Sequence, residues 1–125
     1  MWVQRYVFPL FHLKIEKNEG CGVWVNGTKR NTMSNCQVSH SKDSGVEVWD
    51  GLLTINGSGT SIHNNVTGGN SYYYGLDTSN SSSFIHLVSP LTKESVSINN
   101  GGGGNYGGNG TIKTIRTKEE SGWMG

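Results

Sequence analysis

The chain has 125 residues, room for one domain, and only 33% of them are apolar, against about 45 to 50% in ordinary globular proteins. Gly, Ser, Asn and Thr make up the difference, so a thick two-layer core is hard to build. With 15% charged residues and a formal net charge of +1, neither a charge-rich disordered chain nor a basic nucleic-acid surface fits.

Residues 1–12 are apolar and read as a cap on whatever follows. MWVQRYVFPLFHL has the look of a secretory leader, yet Pro9 and His12 interrupt it and no small-x-small cleavage pattern follows. No segment reaches the roughly 20 continuous apolar residues of a membrane span. Cys21 and Cys36 are too few for a disulfide framework and lack C-x2-C spacing, so both read first as small buried hydrophobes.

From residue 13 a repeat of about 23 residues emerges. Ile15-Glu16-Lys17-Asn18-Glu19-Gly20-Cys21-Gly22-Val23-Trp24-Val25 superimposes without a gap on Val38-Ser39-His40-Ser41-Lys42-Asp43-Ser44-Gly45-Val46-Glu47-Val48. In both copies an apolar residue precedes a Gly-apolar-x-apolar strand, and the alternation is the period-2 signal. Ile15, Val38, Ile62, Val88 and Ile112 then mark five units. Met33 and Ile55 supply a third apolar position per turn, and clusters of Ser, Asn and Gly between them are turn signals.

Three short strands per 23-residue unit predict an all-β fold, a right-handed parallel β-helix of about five short coils over residues 13–115, with 116–125 as a flexible tail. Stacked coils lie about 4.8 Å apart and need few apolar residues each, which reconciles a folded chain with its composition. An antiparallel sandwich is the competing architecture, but it does not require the spacing to repeat. Two inward ladders are expected: Val23, Val46, Leu76 and Val96, and Ile15, Val38, Ile62, Val88 and Ile112.

NCQVSHSKDSGVEVWDG and LTINGSGTSIHNN resemble coils of the right-handed β-helix repeat family, which has the pectin-lyase-like fold. The stretch SFIHLVSPLTKESVSINNGGGGNYGGNGTIKTI, Ser83 to Ile115, is similar to the closing part of β-helix proteins predicted in diatoms, other algae and the large DNA viruses that infect them. This resemblance implies the C-terminal end of a longer solenoid, with coil ends through which copies could associate.

The family includes polysaccharide lyases and hydrolases, so acids and arginines are the groups to examine. Arg5, Arg30 and Arg116 are the only arginines, and no arginine lies near two acids in the repeat. Glu47 and Asp77 share an outward column with Trp24 before them and Ser97 expected after. Coil spacing would set their carboxyls roughly 5 Å apart, near the separation of a retaining glycosidase pair. A solvated acidic face is the simpler reading, because Asp43, Glu47, Asp50 and Asp77 meet no Lys or Arg between Lys42 and Lys93.

His40, His63 and His86 recur every 23 residues but fall in different columns, so no metal site is read from them. Residues 64–74 insert a loop whose Tyr72 and Tyr73 are candidate sugar-stacking rings and whose Tyr74 turns inward. GGGGNYGGNG lacks the Lys of a Walker loop and reads as a turn. N-x-[ST] sequons occur at Asn26, Asn56, Asn65, Asn80 and Asn109.

The sequence thus points to a non-catalytic binding or structural module for a protein or polysaccharide partner, without cofactor, metal or nucleic acid. Trp24, Glu47, Asp77, Tyr72 and Tyr73 are its candidate ligand-binding residues. The alternative is a degenerate or fragmentary carbohydrate-active domain.

Overall fold

The computed structural model describes residues 8–27 and 30–116. In chain order the strands are β1 (Leu10–Phe11), β2 (Lys14–Glu16), β3 (Val23–Val25), β4 (Arg30–Ser34), β5 (Gln37–Ser39), β6 (Val46–Val48), β7 (Gly51–Asn56), β8 (Ser61–His63), β9 (Leu76–Thr78) and β10 (Ser83–Val88). A single helical turn, α1 (Lys93–Val96), precedes β11 (Ser97–Ile98), β12 (Tyr106–Gly108) and β13 (Thr111–Ile115). They form three sheets, β1-β4-β7-β10-β13, β2-β5-β8-β11 and β3-β6-β9-β12. Every neighbouring pair is parallel, which excludes the antiparallel sandwich and is the strand stacking of a β-solenoid.

Strands this short gain little by themselves, and the stack is held by ladders of equivalent side chains. Val23, Val46 and Leu76 form one rung series and Ile15, Val38 and Ile62 another, nearly all fully buried. Leu10, Met33, Ile55 and Leu87 form a third, each aliphatic side chain contributing about 1.5 to 3 kcal/mol on burial.

Beyond the third turn the expected ladders change partners. Leu76 is followed by Tyr106, not Val96, and Ile62 by Ser97, not Val88. Val88 pairs with Ile115 and Ile112 with Ile85, so both belong to the five-stranded sheet. The cause is an excursion at residues 89–96, where the chain leaves β10 and makes α1 before pairing again. Val96 is buried on α1, whose first turn is closed by reciprocal bonds between Thr92 and Ser95. Ser97 occupies an interior position and compensates its polarity by donating to the Asn105 carbonyl at 2.6 Å.

Strand pairing begins at Leu10, inside the segment assigned above to a cap, and Phe8 packs on the core. Residues 1–7 of that segment, and 117–125 of the expected tail, lie outside the described residues.

Corners are as regular as strands. Lys17, His40, Asn64 and Asn99 each follow a strand of one sheet and all have left-handed backbone, φ between 55° and 62°. The next residues are Asn18, Ser41, Asn65 and Asn100. Asn65 Nδ2 donates to Val38 O at 3.0 Å and Asn100 Nδ2 to Ile62 O at 3.1 Å, so each amide clasps the coil before it. Asn65 Oδ1 accepts from Ser41 N and Asn100 Oδ1 from Asn65 N. Where Ser41 interrupts this asparagine ladder, its buried Oγ has no partner, and neither has Asn18 Nδ2. Asn65 is only 2% exposed, so its sequon cannot carry a glycan in the folded chain.

Candidate acidic and aromatic face

The sheet β3-β6-β9-β12 presents its outward column as Trp24, Glu47, Asp77 and Gly107, in register. Sequence reasoning placed the first three correctly and named Ser97 where Gly107 stands, for the partner-change reason given above.

The two acids do meet, but not as a solvated face. Asp77 is 5% exposed, and its Oδ2 accepts from Ser44 Oγ at 2.8 Å. Ser44 Oγ in turn accepts from Tyr74 N at 3.2 Å, so one hydroxyl ties the base of the 64–74 loop to the acid. Glu47 Oε1 accepts from Cys21 Sγ at 3.0 Å, and Glu47 Oε2 accepts from Ser79 Oγ. Both carboxyl oxygens of Glu47 are therefore engaged within the protein.

Electrostatics follow from this burial. Desolvation, with Glu47 as a smaller like-charge neighbour, pushes the Asp77 carboxyl up to about 6 against the lowering effect of the Ser44 bond. Burial, then the Glu47 carboxylate, drives the Cys21 thiol well above its ordinary range. Desolvation also raises Asp43. Tyr73, brought in by the loop, has its phenol raised first by Asp43 and then by burial, with Cys21, Glu47 and Asp77 acting in the same direction. Tyr73 thus lies in the field of the whole cluster, whereas Tyr72 projects into solvent at 83% exposure and Tyr74 is half-buried.

Sequence reasoning missed the partners that fix the acids. Cys21 was expected in the core and is half-buried against Glu47, while Cys36 is a buried core thiol; both are free. Superposing the first two repeats already aligned Cys21 with Ser44, each three residues before an outward residue of the column, and that was the available signal. Trp49 was also missed. It is 49% exposed beside Trp24 at 42%, and its amide continues the parallel ladder by donating to Val25 O at 2.7 Å. Two half-exposed indoles thus stand on adjacent coils, Trp24 paired in register with Glu47 and Trp49 two residues after it.

His40, His63 and His86 lie after β5, in β8 and in β10, so they share no column. Among the described residues no three His, Cys, Asp or Glu groups are arranged to hold a metal ion, and no helix is long and apolar enough to cross a membrane. Comparison with protein families, curated proteins and solved structures gives no match.

Proposed function

We propose that the chain is part of a right-handed parallel β-helix of the pectin-lyase-like kind and acts as a non-catalytic module that binds a glycan across the face of Trp24 and Trp49. The observation that carries this reading is the pairing of two half-exposed indoles with acids that are held in place from within. Exposed aromatic rings offer broad apolar faces at low entropic cost, which suits the faces of sugar rings. Parallel pairing holds Trp24 in register with Glu47, and the Trp49 amide bond to Val25 O continues that pairing.

Catalysis by the acid pair is the second reading. Asp77, pushed up to about 6, has the protonation of a general acid beside a second carboxyl group. Its 5% exposure and the two internal bonds on Glu47 count against that role, because a glycosidase acid and nucleophile must both touch the substrate.

A glycan array followed by calorimetry on the best ligand tests the proposal, together with a reducing-sugar assay. Trp24→Ala and Trp49→Ala should each weaken binding about tenfold, with no sugar release. Turnover that disappears in Glu47→Gln would establish the second reading instead. Failure of every glycan to bind would remove the first.

A further inference from the structure

A second site lies on another corner of the solenoid, around the bend from the acidic face. Lys17, Asn18, Glu19, His40, Lys42 and Gly68 line a surface depression of about 350 Å³ that spans three successive coils. We propose that this depression is a binding site for an oxyanion, a phosphate or sulfate group, gripped between Lys17 and Lys42.

Its floor is built by backbone rather than by chance contact of side chains. Lys42 N donates to Asn18 O at 2.9 Å, and Gly68 N donates to Lys42 O at 3.0 Å, so one hydrogen-bonded ladder joins all three coils beneath the depression. Lys17 N donates to Ser39 O at 3.1 Å, which sets the left-handed residues Lys17 and His40 on consecutive rungs. The 64–74 insertion supplies the third wall. A Cβ at Gly68 would stand 3.2 Å from Lys42 Cγ, so glycine there lets the Lys42 stem lie along the wall.

The charges favour an anion. Glu19 is the only acid in the lining, and Lys42 also lies in the field of its chain neighbour Asp43. Two lysines carried by a fixed backbone, with His40 beside them, outnumber the single acid of the lining. Lysine ammonium groups bind tetrahedral oxyanions as point charges. The proposal does not rest on the binding reading of the acidic face, although the 64–74 loop walls the depression and also reaches Ser44 beside Asp77.

The test uses the full chain, ¹⁵N-labelled, titrated at constant ionic strength with inorganic phosphate, inorganic sulfate, a sulfated heparin tetrasaccharide and its desulfated form. Saturable amide shifts centred on Asn18, His40, Lys42 and Gly68 are expected. Lys17→Met and Lys42→Met should each weaken binding about tenfold, the factor that one charge-assisted hydrogen bond is worth. Both side chains are exposed, so the variants should keep the parent spectrum elsewhere.

Gly68→Val, which crowds Lys42, should weaken binding while leaving both charges in place. Tighter binding of the sulfated tetrasaccharide than of free sulfate, with none by the desulfated form, would identify a glycan ester as occupant. Equal binding would identify the free ion. Shifts that stay linear and spread over all lysine-bearing surfaces, or saturable binding unchanged in the double lysine variant, would overturn the proposal.

Discussion

Between Ile15 and Val48 the solenoid spends 23 residues on a turn, as Ile15 to Val38 and Val23 to Val46 show. Between Ile62 and Tyr106 it spends far more, 35 residues from Ile62 to Ser97 and 30 from Leu76 to Tyr106. The strands are nevertheless short and paired in parallel register in both stretches. The extra residues leave at corners, where the 64–74 loop and the α1 excursion project, because a residue inserted within a strand would reverse every side chain beyond it. The regular stretch supplies Glu47 with Cys21 and Ser44, and the interrupted one supplies Asp77, Ser79, which donates to Glu47, and the loop whose Tyr74 amide donates to Ser44.

If insertions at corners leave the rungs intact, core truncations on either side of the 64–74 loop should cost alike. Ile62→Ala before it and Leu76→Ala after it, both fully buried, should each lose about 3 kcal/mol in urea denaturation. A loss under about 1 kcal/mol for Leu76→Ala alone would mean that the loop loosens the rung that follows it.

A smaller effect is expected from the acid that joins the two stretches. Because folding raises the Asp77 carboxyl to about 6 from an ordinary 3.8, the folded state holds its proton more tightly than the unfolded chain. That contribution is complete below pH 4 and is lost as pH rises through 6, by about 1 to 3 kcal/mol. Asp77→Asn keeps an acceptor for Ser44 and removes the loss. Thermal melts from pH 4 to 8 should show the variant gaining on the parent as pH rises. An unchanged difference across that range would contradict the burial of this carboxyl.

The smallest effect is chemical. Cys21, held as a thiol by burial and by Glu47, should alkylate slowly at pH 8, and Glu47→Gln should speed the reaction several-fold, as intact-mass time courses would record. Equal rates would remove Glu47 from the control of the thiol.

The parallel stack, its first two turns and the Trp24, Glu47, Asp77 column were legible because a Gly-apolar-x strand follows each apolar landmark, without a gap in the first two turns and after the inserted loop in the third. What failed did so for two physical reasons. A polar residue, Ser97, fills an inward position where an apolar landmark was sought, and Val88 continues an apolar strand of a different sheet. Spacing alone cannot separate those cases.

The burial of Asp77 was illegible for another reason. Alternation places its side chain outward, and only the return of the chain through Ser44 and the inserted loop encloses it. The oxyanion depression went unread because Lys17, Lys42 and Gly68 come from three coils, joined by backbone hydrogen bonds that have no side-chain signature.

Ser44 and the inserted loop enclose Asp77, and the proposed preference for binding over acid-base turnover rests on that burial. Its most direct measurement is the titration of the Asp77 side-chain carboxyl by ¹³C NMR in the folded chain. A midpoint near 6, set by desolvation and by Glu47, is expected. A midpoint at the ordinary 3.8 would show a solvated carboxylate and would contradict it.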